Sequence, residues 1–349
     1  MRGDSRHARS EPGLVPFHNK PPEEKQRRSI RPYLTLPLTK ACTFRCAYCG
    51  EGGELTTSRT SVFDLDHIRT WLDVGRGLGI TKFRLTGGEP LLHPRIGNIL
   101  DLFRETTDYL LVNSNGDLLV EREPAWRGLP SNVHFAVSLD SLNEGCFERI
   151  TRSSGRFGRV LQGIEMLAQA GLLLRINMVI HRQNCGEVFQ MIDECGELGC
   201  NLKLLDVVSV PHPFGQFSDH YVDTRELEVE LRRRAASQAL HEYASSFGTP
   251  CRVFMIDGVA VTLKSIRYGS RFDTEGICRG CKYFPCHEGL YDMFVLPDGR
   301  AFGCRWSASS LGAGCAPRER LDSLISAFQR ADWICTAEMR SMPRLETLF

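Results

Sequence analysis

The sequence is short of most features that would classify it at a glance. It has no apolar run near the ~20 residues a membrane-spanning helix needs, which argues against a helical membrane protein. Its opening segment, MRGDSRHARSEPG and onward, is polar and proline-rich and lacks the apolar centre of an export signal. Residues 1–31 therefore read as a flexible lead-in, and the expected location is cytoplasmic. Charge of one sign is missing too: 43 Lys and Arg stand against 42 Asp and Glu, a net charge of +1, so no field favours nucleic acid or a membrane surface. No internal repeat interrupts the chain. What it has in quantity is cysteine, 14 in 349 residues. Thiols in a chain without export stay reduced, which disfavours a disulfide scaffold and turns attention to metal or redox chemistry, with spacing to decide.

Short apolar runs alternate with helix-period segments from 33 to 207. Strands are expected at 33–38, 82–85, 109–112, 133–139, 172–180 and 202–207, and helices at 63–79, 95–106, 157–170 and 187–199. Leu65, Ile68, Trp71 and Leu72 share one face of the first helix, and Gly171 caps the third. This alternation favours an α/β fold with a parallel sheet and crossover helices. Six units over 32–210 predict a partial (β/α)6 TIM-like barrel rather than a complete eight-unit barrel. The remainder, 211–349, reads as a C-terminal extension. It holds a loop at 211–223, a charged helix at 224–247, and hairpins around Asp257–Gly258 and Pro297–Asp298–Gly299.

Cys42-x3-Cys46-x2-Cys49 falls just after the first strand, at the strand end where barrel enzymes keep their chemistry. A cubane held by three thiolates leaves one iron open for a chelating ligand. Two alternatives stay open: a zinc site, which would more often offer four ligands in paired spacings, or three unrelated thiols.

The segment Cys42-Thr43-Phe44-Arg45-Cys46-Ala47-Tyr48-Cys49 resembles the signature loop of the radical S-adenosylmethionine (SAM) superfamily, with an aromatic residue before the last cysteine. Leu85-Thr86-Gly87-Gly88-Glu89-Pro90 resembles the family's second-strand motif, in which the backbone and the Glu side chain receive the amino group of SAM. Ser114-Asn115-Gly116 and Val137-Ser138-Leu139-Asp140-Ser141 resemble its third- and fourth-strand contacts. A lone Gly-Gly pair is usually a turn; four motifs in order on four successive strand ends are more specific. The resemblance implies a [4Fe–4S] cluster on Cys42, Cys46 and Cys49, with SAM as its ligand. The SAM contacts it implies are Tyr48, Gly87, Gly88, Glu89, Ser114, Asn115, Ser138 and Asp140. It also implies one-electron cleavage of SAM to a 5′-deoxyadenosyl radical, which abstracts hydrogen from substrate. An electron donor of reductase, flavodoxin or ferredoxin type would be the protein partner.

Within that superfamily the stretch from 33 to about 207 most resembles the GTP 3′,8-cyclase family of molybdopterin biosynthesis. The segments that carry this are 82–92, 137–142, 147–151 and 175–180. By resemblance, Lys82, Arg84 and Arg175 would meet an anionic substrate, with Asn177 beside them; surface cations at a strand end are the plain alternative. Three departures stand out. Thr35 occupies a position where that family carries an arginine. The family's C-terminal run of alternating arginines is replaced by His287-Glu288-Gly289-Leu290-Tyr291-Asp292, and its final double glycine is absent.

Cys278, Cys281, Cys286 and Cys304 form a second group and resemble the "twitch" region of such enzymes, which holds an auxiliary [4Fe–4S] cluster. Three ligands would leave an iron open for substrate, four would close it, and zinc is the alternative. The other cysteines have no ligand spacing and read as small buried apolar residues. Tyr291 and Asp292 lie near the second group, as substrate contacts or as ordinary hairpin side chains. The expectation is an enzyme acting on a small anionic nucleoside, nucleotide or sugar-acid substrate by cyclisation, rearrangement or decarboxylation, in specialised metabolism. The rivals are GTP 3′,8-cyclisation, a peptide maturase and a non-catalytic iron–sulfur protein.

Overall fold

The computed structural model describes residues 33–49, 62–207, 217–235, 241–243, 251–265, 268, 270–281, 284, 289–290, 292–304 and 315–334. The lead-in, Cys286, Tyr291 and Cys335 lie outside the described residues.

Six strands arise from the apolar runs of the first part: β1 (Leu34–Pro37), β2 (Lys82–Thr86), β3 (Tyr109–Ser114), β4 (Val133–Ser138), β5 (Leu173–Ile180) and β6 (Asn201–Asp206). Each pairs parallel with the next. The crossovers carry α1 (Leu65–Gly77), α2 (Ile96–Asp101), α3 (Glu123–Trp126), α4 (Glu144–Thr151), α5 (Phe157–Gln169) and α6 (Val188–Leu198). The chain continues with α7 (Phe217–His220), α8 (Arg225–Arg234), β7 (His241–Tyr243), β8 (Cys251–Ile256), β9 (Val259–Lys264) and β10 (Ser270–Phe272). It closes with β11 (Met293–Val295), β12 (Ala301–Phe302), α9 (Pro317–Arg330) and β13 (Asp332–Ile334).

Residues paired across neighbouring strands share a face, so register separates the two sides of the sheet. Leu34, Leu36, Phe83, Leu85, Leu110, Val112, Phe135, Val137, Ile176, Met178, Leu202 and Leu204 are fully buried on one side. They belong to one core with Trp71, Leu72, Phe103, Trp126, Ile164 and Ile192 of the crossover segments. The other side is polar: Thr35 pairs with Arg84, Arg84 with Leu111, Leu111 with His134, Ser138 with Asn177, and Asn177 with Lys203. A run of parallel strands with its apolar side against the crossover helices and its polar side open is the arrangement of a partial barrel, and the partial-barrel expectation holds.

Two features go beyond it. The sheet order is β12-β11-β1-β2-β3-β4-β5-β6-β9-β8-β7, and both β9 and β11 run parallel to their neighbours β6 and β1. Eight parallel strands thus stand in a row, two of them from the C-terminal part, and β9 and β11 do not close on each other among the described residues.

Several local expectations shift. The helix expected at 95–106 keeps α-form only to Asp101, because Leu102, Phe103 and Arg104 donate to residues three back rather than four. The charged helix expected over 224–247 ends at Arg234, since 241–243 joins the sheet edge antiparallel to β8. Helix α4 starts where the Asn143 side chain caps Cys146 N–H at 2.9 Å. Helix α9 and the β10–β13 pair were not foreseen. The hairpin at Asp257–Gly258 forms as expected, both residues in the left-handed region (φ 48° and 84°) that a type I′ turn requires.

Candidate functional site

The loop carrying the first three cysteines is held from both ends. Gly88 N–H donates to Thr39 O at 2.7 Å and Glu89 N–H to Ala41 O at 2.8 Å. A Cβ on Gly87 would stand 2.3 Å from Thr39 O, and one on Gly88 2.2 Å from Ala41 O. Only glycine lets β2 end this close to the chain leading into Cys42. At the far end, Arg45 N–H donates to Thr151 O at 3.0 Å and Ala47 N–H to Ile150 O at 2.8 Å. Phe44 is buried edge-on against Phe147, 5.7 Å between centroids. Cys42 is exposed, and Cys46 and Cys49 are half-buried. Partial enclosure, more than the nearby Glu89 and Cys49, pushes the Cys42 thiol up to about 11. The Cys46 thiol is also raised, by burial first and then by Asp140, Cys49 and Cys42. The three thiols sense one another.

Behind the loop, Glu89 is fully buried. Its Oε1 accepts from Leu91 N–H (3.0 Å) and Ser114 Oγ (2.9 Å), and its Oε2 accepts from Asn115 N–H (2.7 Å). A carboxylate has about four acceptor sites, so three are filled by protein donors. Burial raises its pKa to about 7. The Asn115 side chain in turn donates to Thr43 Oγ1 at 3.1 Å and points at Cys42 Sγ, 3.5 Å away. Tyr48 OH donates to Asp140 Oδ2 at 2.5 Å, while Asp140 Oδ1 accepts from Val179 N–H at 2.8 Å. Burial lifts the Asp140 carboxyl to about 6. Five strand ends are thereby tied to one loop. Ser138 sits half-buried on the polar face of β4, one strand from Asn177.

Below the loop the polar face is a wall of charged and polar side chains. Arg84 pairs with Asp292, and Arg175 Nε donates to Asn177 Oδ1 at 2.9 Å. Lys82 lies exposed at the start of β2, on the same face as Arg84. Lys203 and Lys264 on β6 and β9 extend the wall; neither was singled out from sequence. Burial first, then Arg175, Lys264 and Arg84, pushes the Lys203 amine down to about 7, opposed by the Cys251 thiol. An alternating polar residue in a strand was the available signal, and by itself it reads as a solvent face.

The second cysteine group is only partly described. Cys278 N–H donates to Asp273 O at 2.9 Å and Cys281 N–H to Cys278 O at 3.1 Å. The buried Asp273 carboxylate also accepts from Ile277 N–H at 3.1 Å and Arg330 Nη2 at 3.3 Å. A Cβ on Gly303 would stand 2.6 Å from Ile277 Cδ1, which sets the residue before Cys304 against the residue before Cys278.

Residues 36–195 match the model of the Radical SAM superfamily. Over that stretch the chain is similar to this superfamily of enzymes, and the similarity implies a [4Fe–4S] cluster and SAM as cofactors. In sequence it is similar to GTP 3′,8-cyclases: 32% identical over 237 residues to that of Paracoccus denitrificans, covering 64% of this chain and 66% of that enzyme. To that of Caulobacter vibrioides it is 30% identical over 227 residues, covering 63% of each. The chain thus spans just under two thirds of these relatives' length. Among solved structures, Streptococcus suis SuiB bound to precursor peptide SuiA aligns with a TM-score of 0.61 at 14% identity, over 91% of this chain and 69% of that one. anSMEcpe with bound AdoMet aligns with a TM-score of 0.52 at 14% identity, over 90% and 82%. Likeness at that identity is likeness of fold.

The residues present suit such a cluster. Cys42, Cys46 and Cys49 are unbridged thiols on one clamped loop, and burial keeps those of Cys42 and Cys46 protonated until a metal displaces the proton. No helix among the described residues is long and apolar enough to cross a membrane.

Proposed function

We propose that Cys42, Cys46 and Cys49 hold the [4Fe–4S] cluster, and that the chamber beneath binds a small anionic substrate, a nucleoside, nucleotide or sugar acid. The observation that carries this reading is the charge of the chamber face: Lys82, Arg84, Arg175, Lys203 and Lys264 against Asp292 among its described residues. When bound, the cluster and SAM supply reductive carbon–sulfur cleavage and hydrogen abstraction from substrate. The chain's part is to bind and orient. Gly87 and Gly88 bring the end of β2 against the cysteine loop, Glu89 braces it, and its remaining acceptor site suits an amino group. Asn115 lies beside Cys42, Asp140 fixes the Tyr48 ring, and Ser114 and Ser138 complete the SAM-facing strand ends. Arg175 and Asn177 present a paired donor set to an anion from β5. Cys278, Cys281, Cys286 and Cys304, in the segment 211–349, would hold an auxiliary cluster, and a flavodoxin- or ferredoxin-type protein would deliver the electron.

Similarity to the cyclases supports a second reading, GTP 3′,8-cyclisation, which Thr35 and Asp292 disfavour by removing positive charge. The test is iron and sulfide content after anaerobic reconstitution, for wild type and for C42A/C46A/C49A, with 5′-deoxyadenosine measured after reduction in the presence of SAM. About eight irons falling to about four, with 5′-deoxyadenosine abolished, is the expected result. Unchanged 5′-deoxyadenosine in the triple variant would sink the assignment, and efficient cyclisation of added GTP would replace it with the second reading.

A further inference from the structure

The chamber's positive charge is not evenly spread. On the β1 side, Asp292 is 1% exposed; it accepts from Thr35 Oγ1 at 2.8 Å and is ion-paired with Arg84. The Arg84 guanidinium lies over the Tyr33 ring, 4.5 Å from its centroid. Asp292 arrives there because β11 runs parallel to β1 with Met293 opposite Leu34, which sets the residue before β11 at the foot of β1. On the β5–β6–β9 side, the charges that reach Lys203 are Arg175, Lys264 and, more weakly, Arg84, with the Cys251 thiol acting in the opposite sense. One wall sets a buried carboxylate beside its cation, and the other brings Arg175, Lys203 and Lys264 onto one face.

We propose that Asp292 is a specificity-determining residue. By holding Arg84 it confines the substrate to one compact anionic group of one or two charges, seated on Arg175, Lys203 and Lys264, and excludes polyphosphates. The inference rests on the chamber reading above. A polyphosphate long enough to span both walls would bring its negative charge against the Asp292 carboxylate, and like charges placed together at a binding surface discriminate strongly. A single phosphate-sized anion on the far wall avoids that contact.

The test uses the reconstituted full-length protein under anaerobic conditions, titrated calorimetrically with inorganic phosphate and with tripolyphosphate. D292N is expected to raise tripolyphosphate affinity by about tenfold or more and to change phosphate affinity by less than about threefold. In R84Q/D292N, where the pair is removed together, the gain should vanish; K203A should weaken phosphate binding in either background. Thermal melts check folding, and D292T, which can keep a hydrogen bond to Thr35, carries the same expectation as D292N. Tripolyphosphate binding that is equal in wild type and D292N, with phosphate still lost in K203A, would overturn the role of Asp292 and leave the chamber reading standing. Phosphate binding indifferent to K203A would overturn both.

Discussion

A lysine that carries its proton only part of the time near neutral pH responds to ligands in a way an arginine does not. Lys203 is such a lysine, its amine held near 7 by burial and by Arg175, Lys264 and Arg84, with Cys251 opposing. An anion seated beside it restores its proton, so the complex has the higher pKa and binding takes up a proton. Affinity should be full below about pH 7 and fall as pH rises through it, by up to about tenfold per unit. Sulfate, which does not titrate in this range, is the probe, and K203R should flatten the profile; a flat wild-type profile would contradict the assignment. Glu89→Ala tests the other buried charge. It leaves Leu91 N–H, Asn115 N–H and Ser114 Oγ without their acceptor and should cost about 2–4 kcal/mol in a denaturant melt. At this scale legibility was uneven. Motif order put Glu89, Ser114 and Asn115 on successive strand ends, but that Ser114 and Asn115 bond Glu89 directly was not legible, because the contact joins two strand ends. Lys203 and Lys264 went unnoticed because only the register of β5, β6 and β9 turns their face inward.

The elements most readable from sequence were those whose signals are local. Strand β5 and helix α5 fall within a residue of their expected ends, since apolar period and a terminal glycine suffice there. The charged helix ran long in expectation because nothing local reports that 241–243 will join a strand added later in the sequence. The cysteine loop is the opposite case: its spacing is visible, while the clamp that shapes it is built from Gly87, Gly88 and the end of α4. That clamp predicts how the loop fails. In Gly88→Ala a Cβ would meet Ala41 carbonyl oxygen, which belongs to backbone and cannot swing aside. Far-UV circular dichroism should stay near wild type, because the strands beneath are intact, while iron per chain drops by about four. Phe44→Ala, which loses the buried contact with Phe147, should keep the cluster after reconstitution but release it faster to a chelator. A G88A protein that holds full iron would contradict the clamp.

Among the described residues, apart from the β10–β13 pair, the strands form one continuous sheet whose middle comes from the stretch up to Asp206 and whose flanks come from the last third. The sequence pattern disclosed six parallel units because each βα repeat is self-contained. It placed β9 and β11 in hairpins but could not disclose their parallel pairing with β6 and β1, which are distant in the chain, so that pairing has no local trace. Removing everything after residue 210 should leave strands β1 and β6 with unpaired edges and produce a species that self-associates in size-exclusion chromatography; a stable monomer would contradict this. The arrangement also dates the chamber in the life of each polypeptide. On a ribosome the roughly ninety residues between β6 and β11 take on the order of five to twenty seconds to emerge. For that interval a nascent half-barrel exists with its cysteine loop already out and Arg84 still waiting for Asp292. The strand that sets the chamber's charge is thus among the last to arrive, so premature loading with metal or a polyanionic metabolite is a hazard that chaperones or delayed cluster delivery would have to meet.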